Sequence, residues 1–299
     1  MFKHLLVPLD GSKLAEATLP MAVYLAKILK TPVTLLHIIE LDAPEEIHHD
    51  RHLTNSSEAE AYLARVAKDT FPDKIKVDYH IHTSAVADVA QSIVDHSVDE
   101  IQPGLILLCA HGNSGMHDLF YGNIAQQVVA ASTSPVLLIK PGEPPDQLKI
   151  HHILLPLDNE SLHDKAIPTA AYLAKKCKAQ LHLLCVIPTL GTLAGEQAAS
   201  GSLLPSTTTA FLDMAEEIAL EHFQVHLDEF QNSGIASSAE IARGDPAAII
   251  AKTADNITAN LIIFGTHGRA GLDAFWNRSV AASVARRTQT PLLLIPLVD

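Results

Sequence analysis

The sequence predicts an α/β fold made of two tandem domains, each a doubly wound parallel sheet. Three observations carry this. The chain repeats itself at domain scale. Each copy alternates short apolar runs with helically spaced stretches. A Pro-rich polar segment, Pro141-Gly142-Glu143-Pro144-Pro145-Asp146, separates the copies. His4-Leu5-Leu6-Val7-Pro8-Leu9-Asp10 returns as His152-Ile153-Leu154-Leu155-Pro156-Leu157-Asp158. Leu107-Leu108-Cys109-Ala110-His111-Gly112 returns as Ile263-Phe264-Gly265-Thr266-His267-Gly268. Ser134-Pro135-Val136-Leu137-Leu138-Ile139 returns as Thr290-Pro291-Leu292-Leu293-Leu294-Ile295. The expected domains are residues 1–141 and 147–299.

In copy one, Leu5–Leu9 is a buried-strand run, and Leu14–Leu29 has helical spacing with Ser12 as N-cap. Val33–Ile39 is the second strand, and Glu58–Asp69 reads as a helix. Ile75–His82 alternates like a strand, Val86–His96 reads as a helix, and Leu105–Cys109 is again a strand. Ile124–Ala131 is helical, and Val136–Ile139 closes the copy. Copy two repeats this order, with Thr209–Phe230 as a long helix. Continuous apolar strands alternating with helices mean a parallel sheet covered on both faces. Its ligands belong beyond the carboxyl ends of the strands, at the switch point. The closing strands, Val136–Ile139 and Leu292–Pro296, are apolar edges that need a partner.

Composition excludes several classes. The chain has 299 residues, 47% of them hydrophobic and 18% charged, which supports a sizeable core. A net charge of −13 argues against nucleic acid as a partner. No apolar run is long enough to span a membrane, and the N-terminus lacks the features of a signal peptide. Three cysteines, Cys109, Cys177 and Cys185, suit reduced thiols and a cytoplasmic location rather than a disulfide framework.

The strand-end loops carry the candidate chemistry. Strand one ends at Asp10 and Asp158. Strand four runs into Gly112 in copy one, and into Gly265 and Gly268 in copy two. Glycines allow close backbone approach, and the helices starting near Asn123 and Ser279 offer N–H groups to an anion. An acceptor at one end and N–H donors at the other make a nucleotide-shaped crevice. Neither a P-loop nor a G-x-G-x-x-G after strand one is present.

The chain resembles the universal stress protein family in its tandem, Rossmann-like form. That family's signature after strand four is G-x-x-G, nine residues, then G-[ST]. Copy two gives Gly265-Thr266-His267-Gly268, nine residues, then Arg278-Ser279. Copy one gives Cys109-Ala110-His111-Gly112, nine residues, then Gly122-Asn123. Val7-Pro8-Leu9-Asp10-Gly11-Ser12 also looks like the family's opening. The resemblance implies ATP, with or without magnesium, and copy two first. There Asp158 and Val186 would line adenine and ribose, Gly265, Gly268 and Ser279 would surround phosphates, and Gly244-Asp245-Pro246 would help close the pocket. The copy-one counterparts are Asp10, Ile38, Gly112, Gly122 and Asn123. Three positions depart from the pattern. Cys109 stands at the first signature glycine, Thr83-Ser84-Ala85-Val86 lacks Gly-x-Pro, and Arg278 replaces the last glycine. Arg278 would either pair with a phosphate or fill the site.

The resulting expectation is a stress-response protein that binds adenine nucleotide by regulated binding rather than turnover. It would pair its two copies within the chain and offer further pairing into a homodimer. The alternatives are a nucleotide-free interaction module with degenerate pockets and a slow nucleotide hydrolase. The other notable residues have plainer readings. His48, His49 and His52 sit in an acidic loop and read as solvated surface histidines, and His80 and His82 face solvent together. His222 and His226 have ligand spacing without a third ligand in view, so no metal is expected. His111 and His267 read as structural, and Cys109 as a small apolar strand end. The segment from Thr189 to Thr209 is a lid or a linker.

Overall fold

The computed structural model describes residues 1–44, 46–47, 50–99, 104–110, 123–142, 148–193, 195–266 and 279–297. They form two compact units. Unit 1 takes the described residues of Met1–Lys149 together with 291–297, and unit 2 takes Ile150–Thr266 together with 279–290.

Unit 1 begins with β1 (His4–Pro8), whose Leu5, Leu6 and Val7 are almost wholly buried. The chain then turns at Gly11, with φ of 96°, where a Cβ would lie 2.7 Å from Leu53 Cγ. The expected helix over Leu14–Leu29 is two pieces, α1 (Lys13–Glu16) and α2 (Leu19–Leu29). Pro20 in the first turn of α2 explains the break, because proline lacks an N–H and its ring crowds the preceding turn. Lys30 ends α2 in the left-handed region, with its N–H donating to Ala26. β2 (Val33–Glu40) follows, then a two-residue hairpin of β3 (Glu46–Ile47) and β4 (Asp50–Arg51), and α3 (Ser56–Thr70), capped by Asn55.

β5 (Val77–Val86) runs past the expected end, so Val86 lies in a strand rather than a helix, and α4 (Val89–Asp99) starts later. The Asp88 carboxylate accepts from Gln91 N–H at 2.9 Å, marking the helix start. β6 (Gly104–Cys109), α5 (Asn123–Ala131) and β7 (Val136–Ile139) complete copy one. The unit's sheet also takes in β12 (Leu292–Pro296) and has the order β12-β7-β6-β1-β2-β5. All its pairs are parallel except β12 with β7, which is antiparallel with Leu292 opposite Leu138. The edge partnership expected of the two closing strands is therefore formed inside unit 1.

Unit 2 repeats the plan with β8 (His152–Leu157), a 3-10 turn (His163–Ala166), α6 (Ile167–Cys177) and β9 (Gln180–Ile187). The segment expected as a lid or linker contains a helix, α7 (Gly195–Leu203), and leads into α8 (Pro205–Asn232). β10 (Ser237–Arg243), α9 (Pro246–Asn256), β11 (Leu261–Thr266) and α10 (Val280–Ala285) complete the unit, with strand order β10-β9-β8-β11 and parallel pairing where registers are defined. Helix α6 ends like α2, on a left-handed lysine, Lys178. The central strands supply the core of each unit: Leu35, Leu107 and Leu137 in one, and Leu155, Leu183 and Ile263 in the other, are nearly inaccessible. Burying such a side chain stabilises the fold by about 1.5–3 kcal/mol.

Candidate functional site

The chain winds from β1 outward through β2 and β5, then crosses back to β6 on the other side of β1. This reversal opens a crevice at the carboxyl ends of β1 and β6, the switch point of such a sheet. A cavity of about 290 Å³ lies there. Pro8, Leu9 and Asp10 come from the end of β1, Leu36 to Ile38 and Glu40 from β2, and Leu108 and Cys109 from β6. Val89 and Ile93 of α4 and Ile124 and Ala125 of α5 close its sides, with Ile47 and His52 at the hairpin. Asp10 and Ile38 were expected here and line the cavity. Asn123 is the first residue of α5, directly before two lining residues. Gly112 and Gly122 lie outside the described residues.

The polar groups are firmly placed. Asp10 Oδ1 accepts from both Ser12 N–H (2.8 Å) and Ser12 Oγ–H (2.7 Å), and Ser12 Oγ in turn accepts from Ala15 N–H. His37 is 1% exposed, with Nδ1 2.7 Å from the Leu9 carbonyl and Nε2 2.8 Å from the Leu53 carbonyl. It ties the end of β1 to the segment that carries the hairpin. His52, expected as a surface histidine, is buried, with Nδ1 3.2 Å from the Pro44 carbonyl. His48 and His49 of the same loop lie outside the described residues. Burial, together with the negative Asp10, pushes the Cys109 thiol up to about 12, so it stays protonated at neutral pH. Among the described residues, the lining includes the carboxylates of Asp10 and Glu40 but no lysine or arginine. Such a wall suits a ligand end that donates hydrogen bonds, and it repels an anionic one.

His37 sat in the sequence as a polar residue inside an apolar strand run, which was a usable signal. Val89 and Ile93 gave none, because only the folding of α4 over the sheet brings them to the crevice.

Unit 2 places its expected residues differently. Asp158 follows β8, and its Oδ1 accepts from Glu160 N–H (3.0 Å) and lies 2.7 Å from His163 Nδ1. Burial works to raise the Asp158 carboxyl, but the His163 and Glu160 hydrogen bonds hold it below its ordinary value. Val186 lies on β9, and Gly265 on β11. Gly244 follows β10 with φ of 149°, where a Cβ would lie 3.1 Å from Ile249 Cγ1, so glycine is required. Asp245 caps α9, and Pro246 is that helix's first residue. Ser279 caps α10, its Oγ accepting from Ala282 N–H at 3.3 Å. Gly268 and Arg278 lie outside the described residues, as do His111 and His267.

Two histidine groups differ from expectation. His80 and His82 on β5 do not simply face solvent: buried His96 of α4 meets them, with Nε2 3.2 Å from His80 Nε2. His222 and His226 on α8 gain a third candidate ligand, Asp164 of the 3-10 turn. Among the described residues, no helix is long and apolar enough to cross a membrane.

Comparison with known proteins agrees with this architecture. A model of the universal stress protein family matches residues 1–140 and again 149–296. Universal stress protein Sll1654 of Synechocystis is 29% identical over 46% of this chain and 86% of its own length. Universal stress protein YxiE of Bacillus subtilis is 24% identical over 47% of this chain and all of its own length. The crystal structure of a universal stress protein from Archaeoglobus fulgidus shares the fold over 98% of this chain and 96% of its own, with a TM-score of 0.67 and 21% identity. Duplicated matches across nearly the whole length, on two sheets wound the same way, place this chain in the universal stress protein family, in its tandem two-domain form.

Proposed function

We propose that the protein binds an adenine nucleotide as a regulatory ligand in the stress response, and that the nucleoside end enters the copy-one cavity. The cavity at the β1–β6 switch point is the observation that carries this reading. Its walls are mainly apolar, as a base requires, and Asp10 and Glu40 supply acceptors for an amino group and ribose hydroxyls. At about 290 Å³ it suits a nucleoside rather than a whole triphosphate. The phosphates belong outside, toward the start of α5 at Asn123. Binding rather than turnover is favoured because Cys109, the cavity's thiol, is held protonated.

A second reading puts nucleotide in copy two. The turn at Gly244, Asp245 and Pro246 favours it, whereas in copy one β5 continues through Thr83–Val86. There Asp158 is engaged by His163, as Asp10 is by Ser12 in copy one.

The test is calorimetric titration of the stripped chain with ATP and magnesium. Val89→Trp should fill the copy-one cavity and weaken binding by roughly 100-fold or more, about 2.7 kcal/mol. Asp158→Asn should leave it within about threefold. The reverse pattern moves the nucleotide to copy two. No heat with the native chain leaves the interaction module as the function.

A further inference from the structure

We infer that Asp164, His222 and His226 form a binding site for a divalent transition-metal ion of the zinc type, which pins helix α8 to the 3-10 turn after β8. The site lies wholly within unit 2 and does not rest on the nucleotide reading.

The two histidines are four residues apart on α8, so they project from one face of the helix. The 3-10 turn brings Asp164 against them. Asp164 Oδ2 is 3.1 Å from His222 Nε2, and His222 Nε2 is 3.1 Å from His226 Nε2. With a bond length of about 2.1 Å, two ligands on one ion are about 3.0 Å apart in octahedral and about 3.4 Å apart in tetrahedral geometry. Both spacings to His222 fall in that interval, and all three ligand atoms lie within 4.8 Å of one another.

Proton accounting points the same way. His226 Nδ1 is 3.2 Å from Glu229 Oε2, and in a neutral imidazole a hydrogen bond there places the N–H on Nδ1 and turns the Nε2 lone pair toward His222. His222 Nε2 then faces two acceptors, Asp164 Oδ2 and His226 Nε2, with at most one hydrogen to offer. Asp164 Oδ1 is buried and has no hydrogen-bond partner. With both imidazoles neutral, acceptors outnumber protons here, which is costly in a half-buried place and which a bound cation resolves. The contact from Glu229 to His226 is the carboxylate–imidazole support that orients metal-binding histidines.

Two imidazoles and one carboxylate suit zinc and its neighbours, not calcium or magnesium, which take oxygen ligands. Oδ1 of Asp164 or water would complete the shell. The side chains of His222, His226 and Asp164 are 25%, 15% and 27% exposed, so an ion has a route in.

The test uses the full chain, stripped with chelator and then titrated with Co²⁺ by visible absorption and with Zn²⁺ by calorimetry. The competing histidine group, His80, His82 and His96, supplies the control. His222→Gln and, independently, Asp164→Asn should each lower affinity by roughly 100-fold, and Glu229→Gln by about 10-fold. His96→Gln should leave this site's affinity unchanged. Zn²⁺ should raise the melting temperature of the native chain but not of folded His222→Gln, whose circular dichroism without metal should match the native chain. Unchanged affinity in both ligand variants, or loss of binding in His96→Gln alone, overturns the assignment.

Discussion

Asp10 sits where structure and ligand binding compete for one carboxylate, and substituting it separates the two. Its Oδ1 holds the N–H and O–H of Ser12, which is completely buried and starts α1 by accepting from Ala15. Asp10→Ala strands two buried donors. Each costs about 1–3 kcal/mol, and the hydroxyl can rotate, so the sum is about 2–4 kcal/mol. For a unit of this size that is a loss of roughly 5–15 °C in melting temperature. Asp10→Asn keeps a carbonyl acceptor at the same place and should cost only about 0.5–1.5 kcal/mol. Scanning calorimetry reads the shift in melting temperature. On the nucleotide reading, the Asn variant should stay folded yet lose about tenfold in ATP affinity, because its acceptor is no longer charged. Removing the negative charge should also bring the Cys109 thiol down, since Asp10 helps hold it up. Equal melting temperatures for the Ala variant and the native chain would refute the assigned role of Oδ1.

The pair Asp158–His163 should give unit 2 a bell-shaped stability profile. His163 is raised above its ordinary 6.5 by the hydrogen bond to Asp158, so its contribution is complete below 6.5 and is lost as pH rises through the folded value. Asp158 is depressed below 3.8, so its contribution is complete above 3.8 and is lost as pH falls through the folded value. Asp158 is half exposed, so the whole effect stays below about 1 kcal/mol. His163→Gln should flatten the profile in thermal melts, and an unaltered profile would count against the pair. The Cys109 thiol should resist iodoacetamide at pH 8 while the protein is folded and react on denaturation, as read by mass spectrometry. Rapid alkylation of the folded chain would contradict its burial.

Much of this was legible in the residues. β1, β2, β6 and β7 are buried apolar runs, and they appear within one or two residues of where periodicity puts them. β5 was harder because it is an edge strand with exposed Thr83, Ser84 and Ala85, and polar exposed positions do not mark where a strand ends. The break before α2 is marked in the sequence only by Pro20, since the apolar spacing continues through the break. Asp10 and Ile38 could be placed in the crevice because strand ends converge there by topology alone. The approach of Asp164 to His222 is not visible in the sequence: 58 residues separate them, and only the fold brings them together.

β12 is the last strand among the described residues, yet it completes unit 1 beside β7. During synthesis, Val136–Ile139 emerges about 150 residues before its antiparallel neighbour, which at ~5–20 residues per second is a wait of roughly 8–30 s. Throughout that interval the growing polypeptide carries the edge of Val136, Leu137, Leu138 and Ile139 without β12 beside it. A second nascent chain on the same messenger presents the identical edge. Chaperone occupancy, ribosome spacing and translation speed through copy two therefore bear directly on how much of this protein reaches its native pairing.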